Sequence, residues 1–169
     1  MGASLVLVLT LTSSSAHASA PPRWCWARTP ARSLGVELQV VGAGAPEQFE
    51  PVFRAITQAR ADGLLIQLDP SFSGHLARLA DLAVRYRLPT MCGAGYASAG
   101  GLMSHSVSRV DTVRRAAGYV DKLLRGANPA ELPVEQPTKF ELVINLKTAR
   151  TLGVTVPASL LLQADQVVE

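Results

Sequence analysis

Apolar positions along this chain recur with two periods, and the switches between them outline alternating strands and helices. Residues 35–41, GVELQVV, are β-branched and partly alternating, which predicts a strand. The turn GAGAP follows, and then Phe49, Val52, Phe53 and Ile56 fall at the i, i+3, i+4, i+7 spacing of an amphipathic helix. Pro51 is tolerable only in a first turn, so that helix is expected to begin near Glu50. GLLIQLDP, residues 63–70, is a short apolar run closed by Asp-Pro, which suits a strand buried on both faces. Leu79, Leu82, Ala83 and Tyr86 then form one helix face, opposite Arg78, Asp81 and Arg85. LPTMCG, residues 88–93, is a third strand, and the β-α-β-α-β order implies parallel pairing with right-handed crossovers.

The second half is less regular. AGYASAGG, residues 94–101, reads as a small, flexible loop, and GLMSHSV as a short fourth strand. Residues 111–125 keep the helical period through Val113, Ala116, Ala117, Val120 and Leu124, with Ser108 as N-cap and Gly126 as stop. Residues 128–137, NPAELPVEQP, are proline-spaced and extended. Phe140, Leu142 and Ile144 then alternate with Glu141, Val143 and Asn145, and Asn145 is placed to cap a short helix over 146–152 that Gly153 closes.

Composition adds a core built from aliphatic side chains, since aromatics are only 5% of the 169 residues. The formal charge of +3 belongs to the N-terminal segment: Arg23 and Arg28 are the charged residues of the first thirty, and the rest is almost balanced. Nucleic acid is therefore not an expected partner. Two cysteines, Cys25 and Cys92, allow at most one disulfide and lack zinc spacing. The opening LVLVLTLTSSSAHASA resembles the apolar core and A-x-A cleavage region of a secretory signal, without a basic start, and is too short for a stable membrane span. The following PPRWCWARTPAR shows neither period.

Candidate chemistry is sparse. His17, His75 and His105 are scattered, without partners at ligand spacing, so neither a metal nor a cofactor is expected. Ser104 and His105 are adjacent on a strand and point to opposite faces, which excludes a nucleophile-base pair. The glycine-rich 93–101 lacks the Gly-Lys-Ser/Thr ending of a phosphate loop. LDPSFSGH, residues 68–75, is the more informative stretch: at the C-terminal end of a parallel strand, Asp69 and Ser71 either cap the next helix or face a ligand. In the second case Asp69 offers a carboxylate to an ammonium group and Phe72 an apolar face, with Tyr96 in the glycine-rich loop as a further candidate and Ser104 at the strand end beyond it. With no carboxylate pair for acid-base work, the chain is not expected to be an enzyme.

Residues 100–169 carry three long motifs in order: GGLMSHS, YVDKLLRGA and PVEQPTKFELVINLKTARTLGV. Together they closely resemble the C-terminal end of the ABC-transporter substrate-binding proteins grouped with the tryptophan/tyrosine-type binders, and residues 31–93 resemble the same family more loosely. The resemblance implies a type I periplasmic-binding-protein-like α/β fold: a parallel sheet flanked by helices, two lobes joined by hinge strands, and a solute held between them. It also implies a periplasmic or extracytoplasmic receptor for an amino-acid-like or other small organic solute, working with the permease subunits of an ABC importer.

On that template residues 31–96 form the C-terminal lobe, 97–131 the hinge crossing with an N-terminal-lobe strand and helix, and 132–169 the return hinge with the last strand and short helix. Residues 1–30 match neither lobe and read as a signal-like or non-native segment, which implies a truncated member lacking most of the N-terminal lobe and the first strand of the other. Two expectations follow: impaired solute binding, and an exposed apolar stripe on the helix at 111–125. The family's Tyr-Gly after Leu-Met-Ser is His105-Ser106 here, and the hinge loop lacks the charges common in relatives. A small flavodoxin-like or receiver-like regulatory domain is the alternative that the βαβ order alone allows, although the expected phosphate-binding turn or acidic pocket is missing.

Overall fold

The computed structural model describes residues 5–11 and 25–169. Among them the chain runs β1 (Leu5–Leu11), α1 (Cys25–Ser33), β2 (Glu37–Ala43), α2 (Phe49–Gln58), β3 (Gly63–Leu68), α3 (Leu76–Arg85), β4 (Thr90–Cys92), β5 (Met103–Val107), α4 (Arg109–Leu124), β6 (Phe140–Asn145), α5 (Leu146–Leu152), α6 (Ala158–Leu161) and β7 (Gln166–Val168). The strands form one seven-stranded sheet in the order β2-β1-β3-β4-β5-β6-β7. Every pairing is parallel except β5 with β6.

The core lies between the sheet and the pair α2/α3. Phe49, Phe53 and Ile56, the stripe visible in the sequence, are fully buried with Leu79, Ala80, Leu82 and Ala83 of α3 and with Leu64 and Ile66 of β3. Each large apolar side chain removed from water contributes roughly 1.5–3 kcal/mol before entropy is counted. Pro51 sits in the first turn of α2, where its missing N–H has no intrahelical partner to lose.

The first correction concerns the N-terminus. The apolar run that reads as the core of a secretory signal is β1, paired to β2 from Leu5↔Glu37 to Leu11↔Ala43 and to β3 from Val6↔Gly63 to Leu11↔Leu68. It is the interior strand that the sequence appears to lack. A strand flanked on both sides and covered by helices needs the same unbroken apolar composition as a signal's core, so composition cannot separate the two. The A-x-A candidates at Ala16, Ala18 and Ala20 lie outside the described residues. The aperiodic segment after them ends in α1, with Pro30 inside it. The C-terminal α6 and β7 likewise carry no sequence pattern strong enough to announce them.

The second correction concerns the glycine-rich loop, which is a packed connector. Residues 93–102 join two adjacent parallel strands, a task usually given to a crossover helix. They do so as successive turns, with Ala99 N–H donating to Gly95 O (3.0 Å) and Gly101 N–H to Tyr96 O (2.9 Å). Tyr96 and Ala97 are fully buried within them.

Beyond β5 the chain leaves the body. Helix α4, capped by Ser108 Oγ accepting from Asp111 N–H, contains no buried residue, and its apolar Val113, Val120 and Leu124 are exposed. The extended segment 132–139 is strapped along it. Arg115 reaches across to donate to Gln136 O (3.1 Å) and to the Thr138 hydroxyl, and it pairs with Asp111 on its own helix. Tyr119 Oη donates to Pro133 O. Helix and strap thus form one arm, joined to the sheet through β5 and β6.

Candidate functional site

In an open parallel sheet the strand C-termini are where ligands are received, because the connecting turns and helix N-termini gather there. At that edge β2 ends in Ala43 and β3 runs into a 3-10 turn over Pro70–His75, which leads directly into α3. Asp69 stands half-buried at the start of this turn, and its carbonyl accepts from Phe72 N–H at 2.9 Å. The side chain of Ser71 lies outside the described residues.

Phe72 turns inward. It is 3% exposed and packs against Phe49, with ring centroids 5.8 Å apart, so in this conformation it supports the turn rather than offering its face to solvent. His75, which the sequence does not single out, meets the Phe49 ring edge-on at 5.9 Å and remains half-buried. Arg78 covers the same Phe49 ring from outside at 5.6 Å. This sheet edge therefore rests on an aromatic base, with Asp69 and His75 half-buried beside it.

Tyr96 and Ser104 are both buried. Ser104 is 3% exposed, and its register with Cys92 puts it on the helix-covered face of the sheet together with Thr90. Tyr96 lies beneath the connector with its ring against Gly101, where an added Cβ would come within 2.1 Å of Tyr96 Cε1. Its hydroxyl makes no hydrogen bond of regular geometry, although Thr90 and Cys92 both act on it. Desolvation holds the phenol well above its usual range and pushes the Cys92 thiol up to about 12, so both stay neutral.

The connector is pinned from the far end of the chain. Asn145 Oδ1 caps α5 by accepting from Thr148 N–H at 2.9 Å, and its Nδ2 donates to Ala97 O at 2.9 Å. Thr148 Oγ1 donates to Gly100 O at 2.8 Å, and Asn145 N–H to Leu102 O at 2.9 Å. The sequence announces Asn145 only as a cap; its second partner is 48 residues away and leaves no local signal. Among the described residues no group of acidic, histidine or cysteine side chains is placed to hold a metal ion, and no helix is long and apolar enough to cross a membrane.

A mostly parallel sheet flanked by helices, with one antiparallel pair that carries an arm out and back, is the architecture of a periplasmic-binding-protein-like α/β fold. Residues 8–168 match the model of the ABC transporter substrate binding protein family, and the chain belongs to that family. The fold agrees with three solved structures. An ABC domain from Streptococcus pneumonia, determined in complex with L-Trp, is 22% identical with a TM-score of 0.78, over 96% of this chain and 56% of that one. A conserved domain protein from Vibrio cholerae is 21% identical, with a TM-score of 0.79, over 95% and 54%. A substrate binding protein with adhesive properties from Clostridium difficile, solved ligand-free and open, is 14% identical with a TM-score of 0.71, over 99% and 55%. The chain thus spans about half the length of these structures. No curated protein matches its sequence.

The regulatory-domain alternative shares the order of the first five strands, but that order is common to many doubly wound sheets. The antiparallel β6 and the family match over nearly the whole chain support the binder instead.

Proposed function

We propose that this chain is the solute-receiving lobe and hinge of the binding component of an ABC importer, acting in the periplasm or another extracytoplasmic space and carrying no catalysis of its own. The observation that carries the reading is the β5–β6 pair: in an otherwise parallel sheet it is antiparallel, because the chain leaves the lobe and returns to it. The solute class is amino-acid-like or another small organic molecule with a cationic group, received by Asp69 at the end of β3, with the backbone of the turn at Ser71 and Phe72 beside it. The solved L-Trp complex supports an amino acid as the first candidate. Permease subunits are the proposed partners.

One lobe supplies one wall of an interlobe cleft, so binding by this chain alone is weak. Amide chemical-shift mapping with a panel of amino acids, L-Trp included, tests the proposal. Shifts confined to the turn after β3 and to neighbouring strand ends are the expected result. Shifts elsewhere, or none across the panel at millimolar solute, overturn the assignment, and micromolar affinity overturns the impairment.

A further inference from the structure

The arm and the body are each braced internally, and only a few residues between them are not. On the body side, β4 pairs with β5 as far as Cys92↔Ser104 and reaches no further. On β6, Leu142 is held twice by Asp165, whose Oδ2 accepts from Leu142 N–H (2.8 Å) and whose N–H donates to Leu142 O (2.9 Å). The rung His105↔Leu142 is thus the last one tied to the sheet on the β6 side. On the arm side, Ser108 N–H donates to Lys139 O at 3.0 Å, directly below the cap of α4 and the Arg115 strap. The rungs Ser106↔Glu141 and Val107↔Phe140 lie between and, among the described residues, pair only with each other. A two-stranded ribbon without lateral neighbours is the most readily twisted form of a sheet.

A side-chain contact crosses this joint. His105, on the anchored rung, stacks on Phe140, on the outer rung, with centroids 5.5 Å apart and planes 4° from parallel. Both rings are solvent-exposed, so neither is needed to fill the core. Twisting the ribbon must slide or separate them.

We infer that motion between arm and body is confined to the rungs Ser106↔Glu141 and Val107↔Phe140, and that the His105–Phe140 stack is a latch setting the resting angle of the arm. The two residues are positioning groups for cleft closure, without contact to solute; their functional meaning rests on the solute-binding reading, while their mechanical role does not.

Backbone residual dipolar couplings of the full chain test this. Couplings from residues 109–139 are expected to fit one rigid body, and those from β2, β3, α2, α3 and α5 a second. Phe140→Ala should lower the alignment magnitude of the arm and leave that of the body unchanged, while Phe140→Tyr, which keeps a ring to stack, should restore it. The body couplings serve as the control for folding, and His105→Ala breaks the same stack from the other side should Phe140→Ala fail to fold. One alignment tensor for the whole chain, a body boundary inside residues 93–101, or an arm insensitive to both alanine variants overturns the inference. None of these outcomes depends on whether a solute binds.

Discussion

Asn145 holds Ala97 by its side chain: Nδ2 donates to the Ala97 carbonyl at 2.9 Å while Oδ1 of the same amide caps α5. One amide therefore ties the start of α5 to the connector between two parallel strands. Both residues are buried, so the lost hydrogen bond is not replaced by one to water. Asn145→Ala should cost about 1–3 kcal/mol, the sum of a lost cap and a lost buried hydrogen bond, since Ala97 O still accepts from Gly100 N–H at 3.2 Å. Asn145→Asp should retain the cap and still destabilise, because it cannot donate to Ala97 O and it buries a charge. Urea midpoints of the three proteins decide this, and an alanine variant equal to the parent would remove the pin from the account.

Gly101 and Tyr96 fit each other as surface and ring. Gly101→Ala should destabilise by about 1–3 kcal/mol or more, since the connector must shift to admit a Cβ against the ring. Tyr96→Phe should be neutral or stabilising, because it removes a buried hydroxyl lacking a regular partner. Thermal denaturation of the pair should therefore move in opposite directions or leave only the glycine variant affected.

Alkaline pH should unfold the lobe through Cys92. Its folded pKa of about 12 lies above the ordinary thiol value of 9.0, so the folded chain holds the proton that the unfolded chain releases. The stabilisation is complete below pH 9.0 and is lost as pH rises from there toward about 12. Desolvation of Tyr96 adds in the same sense above the usual phenol range. Stability measured against pH should fall less steeply in Cys92→Ala over this window. In a Cys25→Ser background, labelling of Cys92 with a thiol reagent at neutral pH should track unfolding and not proceed from the native state.

The arm strap should come undone locally. Arg115→Ala removes the donors that hold Gln136 O and Thr138, while the body core has no part in those contacts. Faster amide exchange in segment 132–139, with the global unfolding midpoint nearly unchanged, is the expected pattern; the exposure of Arg115, at 31% of its side chain, argues against a large global effect. A midpoint that falls with the exchange rate would show that the arm and body unfold together.

Much of the body was legible in the residues themselves. The helical stripe Phe49-Val52-Phe53-Ile56, the short apolar strand closed by Asp69-Pro70, and the caps at Ser108 and Asn145 are local signals, and the structure bears them out. The chain order β-α-β-α-β followed from the same periods, and the motif-rich last seventy residues carried the family.

What sequence could not decide was where an element sits once the others are in place. LVLVLTL is apolar without a break, and only its pairing with β2 on one side and β3 on the other makes it the inner strand of a sheet. AGYASAGG looked mobile because small residues impose no conformation of their own; Asn145 and Thr148, distant in sequence, supply the hydrogen bonds that fix it. Tyr96 and Phe72 looked available to a ligand because an aromatic ring reads the same in a pocket or a core, and the packing of Gly101 and Phe49 against them is what turned them inward. Local periodicity thus determined most strands and helices of residues 35–153, while burial and partnership, which depend on contacts between residues far apart in the chain, were decided by the tertiary structure alone.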